Sequence, residues 1–257
     1  MTVEVARDEG VATLRFAAPP LNFYSLELHE AFDAAIDELE SDPPRALIIG
    51  AEGRVVSGGV DVALFAAQQS EAHMLALFDR MIELPNRIAN LRFPTVFAAH
   101  ALTLTWALEV ALACDVIVAT DRAKFGLVER VVGLTPTMGG TQRLAGRAGV
   151  GRAKEVVMTG DLFDAETFER WNVVNRVLPV EGFNDAVRAF AQTLSTGPTQ
   201  AFAAAKDVLR TYERGGVAEA NEHITRIAAG LFATEDLHAG MKSFLEDGPG
   251  KASFTGR

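Results

Sequence analysis

Val3 and Val5 alternate with polar residues, a turn follows at Asp8-Glu-Gly10, and Val11 to Phe16 alternates again, which together predict a β-hairpin. The period then changes. Leu28, Phe32, Ile36 and Leu39 recur at helical spacing, predicting an amphipathic helix that Asp42-Pro-Pro44 ends. Ala46 to Gly50, Thr95 to Ala99 and Val116 to Ala119 are short apolar runs of the buried-strand type, and the last two are followed by turn residues and then helical material. Ser70 to Leu91 predicts a long helix interrupted or bent at Pro85. Val173 to Leu178 reads as strand, and from about Glu181 to Glu246 the pattern is almost purely helical, with Thr196-Gly-Pro198 as the hinge. Alternation of this kind predicts an α/β fold of stacked strand–helix units, residues 1–195, followed by a helical region, residues 196–257.

Phe93 to Leu108 carries no Asp, Glu, Lys or Arg. It opens with Phe-Pro, contains His100 and three threonines, and is bounded by Arg92 and Glu109. A buried strand, a loop and the start of a buried helix fit it better than a membrane span.

At 257 residues, 49% hydrophobic and 23% charged, the chain is long enough for a sizeable core and has the balance of a soluble globular protein. A net charge of −10 without any run of Lys or Arg argues against a nucleic-acid partner. Cys114 is the only cysteine, so it can form no internal disulfide and reads as a small apolar filler. His29, His73, His100, His223 and His238 are scattered without metal-ligand spacing, so no metal site is expected. The first residues hold no basic segment followed by an apolar one, which makes a cytoplasmic location the expectation.

Chemistry concentrates in two consecutive blocks, Leu104 to Asp115 and Phe125 to Leu144, which carry Glu109 and Glu129 at corresponding places. A carboxylate flanked by apolar residues loses hydration, its pKa rises towards neutrality, and it becomes suited to passing protons. If the fold brings the two together, they form an acid/base pair. The bland alternative is ion pairing, with Arg130 and Arg143 as the nearby cations.

These blocks, with Gly53-Arg-Val-Val-Ser-Gly-Gly-Val-Asp61 and Pro20-Leu-Asn22 in the same order, resemble the crotonase, or enoyl-CoA hydratase/isomerase, family. The resemblance implies a spiral of ββα units with a C-terminal helical region used for oligomerisation, as a homotrimer or a dimer of trimers. It implies an acyl-CoA thioester substrate, coenzyme A being part of that substrate, with no tightly bound cofactor. The thioester oxygen would take hydrogen bonds from the backbone N–H groups of Val60 and Trp106, an oxyanion hole for the enolate. Glu109 and Glu129 would hold one water: Glu109 deprotonates it for attack on the β-carbon of a 2-enoyl-CoA and Glu129 protonates the α-carbon, giving a 3-hydroxyacyl-CoA. Asn22 and Phe23, with the neighbouring Tyr24, and Gly59, Val60, Asp61, Val62, Ala63 and Leu64 match segments that contact coenzyme A. Lys251 and Phe254 resemble terminal contacts that reach a neighbouring subunit.

Two departures from the family pattern stand out. Thr105-Trp106-Ala107 replaces three glycines, so the indole must point away from the thioester or narrow the acyl pocket, and a positive φ becomes costly. Ala63 takes a position that is often basic, which removes one contact to the nucleotide end. Both glutamates are retained, favouring hydration. A double-bond isomerase or other specialised acyl-CoA enzyme, and a non-catalytic acyl-CoA binder, remain as alternatives. Ser57 reads as a small turn residue, and Gly139-Gly140 as a tight turn into the helix carrying Gln142 and Leu144.

Overall fold

In the computed structural model, which describes residues 1–257, the chain opens with the predicted hairpin. Strands β1 (Thr2–Asp8) and β2 (Val11–Ala17) pair antiparallel, with Val5 opposite Leu14. The sheet then grows in parallel through β3 (Ala46–Ala51), β4 (Thr95–Ala99), β6 (Val116–Thr120) and β9 (Arg176–Leu178), in the order β1-β2-β3-β4-β6-β9. Between them lie a smaller sheet of β5 (Thr103–Leu104), β7 (Lys124–Gly126) and β8 (Phe163–Asp164), and the crossovers that parallel pairing demands.

Each crossover follows the same path: a main-sheet strand, a touch on a second layer, then a helix. From β2 the chain passes Tyr24 and enters α1 (Leu26–Ser41). From β3 it passes Ser57 and Val60 into α2 (Val62–Ala66) and α3 (Glu71–Asn90). From β4 it passes β5 into α4 (Trp106–Ala113). From β6 it passes β7 into a 3-10 turn at Glu129–Val132, then α5 (Gly140–Ala148) and α6 (Val150–Thr159). The second layer is stitched by single pairings, Tyr24 to Val60 and Ser57 to Thr103, before Thr103 pairs with Phe125. This is the spiral of ββα units. Pairings one or two residues long have no period, so hydrophobic patterning could not reveal them.

The central strands are covered on both faces, which is why they read as runs rather than alternations. Leu47, Ile49 and Phe97 join the main core with Phe32 of α1, Leu84 of α3 and Leu108 of α4. Ile48, Val96 and Val118 face the other way, onto Phe183, Val187 and Ala191 of the long helix after β9. Every residue of α4 is buried, so that helix has no polar face.

Some elements differ from the sequence expectation. Helix α3 continues through Pro85, and Val173 to Asn175 stay outside β9 although Asn175 pairs by backbone and side chain with Ile117. After α7 (Ala165–Arg170), the helical region comprises α8 (Phe183–Ser195), α9 (Thr199–Gly230) and α10 (Glu235–Asp247). Thr196-Gly-Pro198 links α8 to α9, and Arg45 of the core donates to the carbonyls of Gly197 and Phe254. The end of the chain folds back onto α10, where Asp236, almost fully buried, accepts from the N–H groups of Thr255 and Gly256. No helix is long and apolar enough to cross a membrane.

Candidate active site

Hydrogen-bond accounting along Ser57–Asp61 singles out one donor. Ser57 N–H donates to Leu102 O, Gly58 N–H to Leu21 O, Gly59 N–H to Ser57 Oγ, and Asp61 N–H to Tyr24 O. Val60 N–H donates to nothing within the chain. On the adjacent loop, Leu104 N–H donates to Ser57 O and Thr105 N–H to Gly126 O, whereas Trp106 N–H, the first of α4, has no partner. The first amides of any helix lack intrahelical acceptors, and the helix dipole makes them attractive to negative charge. The two loops touch: a Cβ on Gly59, whose φ is +117°, would lie 3.3 Å from Thr105 Oγ1. Two unclaimed amides on adjoining loops can receive an oxygen that becomes negative.

The Trp106 indole is directed into the core. Its exposure is 0%, its Nε1–H is shared between Ser57 Oγ at 2.7 Å and Asn22 O at 3.2 Å, and its ring packs on Phe16, Phe32 and Tyr24. Of the two orientations the sequence allowed, the one directed away from the site is realised. The left-handed backbone falls one residue earlier, on Thr105 (φ 47°, ψ −117°), a region that glycine tolerates and threonine rarely enters. Ser57 is consequently more than a turn residue. Fully buried, it accepts from Trp106 Nε1 and Gly59 N–H and donates to Asn22 O.

Glu109 rides on the fully buried α4. Its Oε1 accepts the N–H groups of Met138 at 2.8 Å and Gly140 at 2.9 Å, and its other oxygen accepts nothing within the chain. Gly140 is required here, because a Cβ at that position would come within 2.8 Å of Glu109 Cγ. Glu129 opens the 3-10 turn, and its Oε2 is buried without a partner. Burial lifts Glu109 to about 7 against the opposing pull of the two amides and of Arg143. Burial and then the charge of Glu109 lift Glu129 to about 8. The charge of Glu109 acts on Glu129, so the two titrate as a coupled pair; the Met138 and Gly140 amides favour ionised Glu109, whereas Glu129 has only its own backbone N–H to favour its charge.

Neither glutamate is ion-paired. Arg130 donates to Thr159 O, and Arg143 donates to Met138 O and Asn86 Oδ1. The predicted ion-pair alternative is absent.

The other sequence-selected residues divide into scaffold, rim and tail. Asn22 is buried, with its side-chain amide bonded to the carbonyls of Glu52, Val55 and Val56 and to Ala18 N–H, so it fastens the loop and has no free side-chain atom for a ligand. Tyr24 is buried as well, its hydroxyl on His29 Nδ1, while His29 Nε2 lies 3.2 Å from Asp33, so His29 is not isolated. Phe23, Val62 and Ala63 are exposed, Leu64 is half-buried, and Asp61 caps α2 through Ala63 N–H. Lys251 is exposed and Phe254 half-buried; Phe254 lines a cavity of about 1090 Å³ with Arg45, Asp236 and Phe244 that includes neither glutamate. Within one chain the tail and the glutamates are thus separate. Met138 and Gly140, the donors to Glu109, were not foreseen as site residues; Gly139-Gly140 was the available signal. No three His, Cys, Asp or Glu side chains converge as a metal site.

Comparison with known proteins finds relatives along nearly the whole chain. The profile of the enoyl-CoA hydratase/isomerase family matches residues 6–257. The Mycobacterium tuberculosis protein named "Probable enoyl-CoA hydratase echA8" is 32% identical over 251 residues, 95% of each chain. A Rhizobium meliloti protein named "Probable enoyl-CoA hydratase" is 29% identical over 246 residues, 95% of this chain and 94% of that one. The crystal structure of enoyl-CoA hydratase subunit I from Geobacillus kaustophilus superposes with a TM-score of 0.92 at 27% identity, covering 100% of this chain and 99% of that one.

Proposed function

This chain belongs to the enoyl-CoA hydratase/isomerase family, and within it we propose a hydratase that adds water reversibly and syn to a 2-enoyl-CoA. The thioester oxygen receives the N–H groups of Val60 and Trp106, which draw electrons from the double bond and hold the enolate. A water lies between the carboxyl groups. Glu109, ionised, takes its proton as the oxygen bonds to the β-carbon, and Glu129, protonated, gives its proton to the α-carbon. The product is a 3-hydroxyacyl-CoA, and proton transfer from Glu109 to Glu129 resets the pair. Phe23 and Asp61 to Leu64, beside Val60, receive the pantetheine; coenzyme A enters as part of the substrate and no further cofactor takes part. Lys251 and Phe254 serve the nucleotide end of a neighbouring copy in a trimer or dimer of trimers, a reading supported by the exposed Phe232, Phe244 and Leu245 of the C-terminal region.

The observation that carries the proposal is a pair of buried carboxyl groups without an ion-pair partner, Glu109 held at one oxygen by the Met138 and Gly140 amides and Glu129 with a buried unpaired oxygen, both raised towards neutrality by burial. The case for a non-catalytic binder rested on Trp106, whose indole lies in the core. Incubation with crotonyl-CoA tests the reading through loss of the conjugated enoyl thioester absorbance and formation of 3-hydroxybutyryl-CoA. A 3-enoyl product would indicate an isomerase; tight binding without turnover would indicate a binder.

The pH dependence is specific. Below about 7 the base is protonated and above about 8 the acid is ionised. A plot of kcat/KM against pH is expected to be bell-shaped, with its maximum between those values. A profile flat from pH 6 to pH 9 would contradict the assignment.

A further inference from the structure

We infer that the hydroxyl of Thr105 is a third hydrogen-bond donor to the thioester oxygen, beside the amides of Val60 and Trp106. The inference rests on the acyl-CoA reading above and adds a side-chain contact that glycine at this position cannot provide.

The first observation is a hydroxyl without a partner. Thr105 is 5% exposed, yet its Oγ1 makes no hydrogen bond within the chain. Buried hydroxyls are rarely left unpaired, since desolvation is not recovered. The second is a forgone alternative. Thr105 is the N-cap of α4, where a threonine hydroxyl ordinarily bonds an amide of the first turn. Ser25, Ser70, Asp61, Asp164 and Thr234 all do so on their helices. Thr105 does not, because φ 47° and ψ −117° turn its side chain elsewhere.

That direction is the third observation. Thr105 directly precedes the Trp106 amide, and its Oγ1 is the atom nearest the vacant Cβ position of Gly59, which directly precedes the Val60 amide. The hydroxyl thus stands where the two donor loops meet. Its backbone is fixed on both sides, N–H to Gly126 O and carbonyl from Glu109 N–H, so the side chain is held in place. An oxygen received by both amides gives the hydroxyl its missing acceptor, and the strained backbone is the kind of cost sustained at functional sites.

The test uses Thr105→Val, which keeps the β-branched shape and the backbone strain but removes the donor, and Thr105→Ser, which restores it. Thr105→Val is expected to lower kcat on crotonyl-CoA about a hundredfold, as for loss of one donor to such an oxygen, with KM and melting temperature little changed and Thr105→Ser recovering most of the loss. The infrared carbonyl band of bound butyryl-CoA labelled with ¹³C at the thioester is expected at higher frequency in Thr105→Val than in the parent protein. An active parent enzyme with unchanged kcat and carbonyl frequency in Thr105→Val would overturn the inference and leave the hydratase reading intact. If the parent binds butyryl-CoA without turnover, the frequency alone decides. If it neither binds nor turns over acyl-CoA, both readings fall.

Discussion

Glutamine at position 129 is expected to lower kcat for crotonyl-CoA hydration about a hundred- to ten-thousand-fold, with KM nearly unchanged, because the amide has no proton to deliver to the α-carbon. Glutamine at position 109 should cost a similar factor, since its oxygen can still accept from Met138 and Gly140 while its basicity is gone. The double variant is expected to be little worse than either single one, as residues acting as a unit are not additive. Steady-state kinetics on the three variants checks this. Retention of more than a tenth of the activity by Glu129→Gln would remove Glu129 from the mechanism.

Stability should move in the opposite direction. The folded pKa of Glu129 is raised from the ordinary 4.5 to about 8, so its contribution is fully present below the ordinary value and is lost as pH rises through about 8. Glutamine does not titrate. The urea midpoint of Glu129→Gln relative to the parent protein is therefore expected to be higher at pH 8 than at pH 5. A positioned acid thus destabilises the fold in its ionised form, a cost that a merely structural residue at this place would have no reason to impose.

Trp106→Gly is the second large effect, and it concerns folding rather than substrate range. The indole is fully buried against Phe16, Phe32 and Tyr24, and its removal should cost about 3–5 kcal/mol in urea denaturation. Loss of its Nε1–H also deprives Ser57 of one donor and loosens the contact between the two amide loops. Trp106→Phe keeps most of the packing and should cost about 1–3 kcal/mol, mainly for the broken hydrogen bond. Neither variant is expected to gain turnover on short acyl groups relative to longer ones. A glycine variant with full stability and new short-chain activity would show the indole to be a gate after all.

The contrast between Trp106 and Glu109 indicates what patterning can and cannot reach. Three residues apart on one buried helix, both sit in an apolar run that marks them as interior. For Glu109 that was sufficient, because a carboxylate in such a run must lose water whichever way it points. For Trp106 it was not. A largely apolar indole is equally compatible with a core and with an acyl pocket, and the choice was made by the acceptors of its Nε1–H on Ser57 and Asn22, residues 49 and 84 positions away. His29 repeats the lesson, since its partners Tyr24 and Asp33 are near in sequence but only helix α1 aligns them.

The order of residues determined the hairpin, the buried parallel strands, the helical C-terminal region and the two acidic candidates, because each follows from local periodicity or from the solvation of a single group. Tertiary structure alone decided the second layer of the spiral, the two amides left without acceptors, the Met138 and Gly140 donors to Glu109, and the unpaired Thr105 hydroxyl. Those features depend on which long-range partner claims each hydrogen-bonding group, and such claims are settled only when distant segments meet.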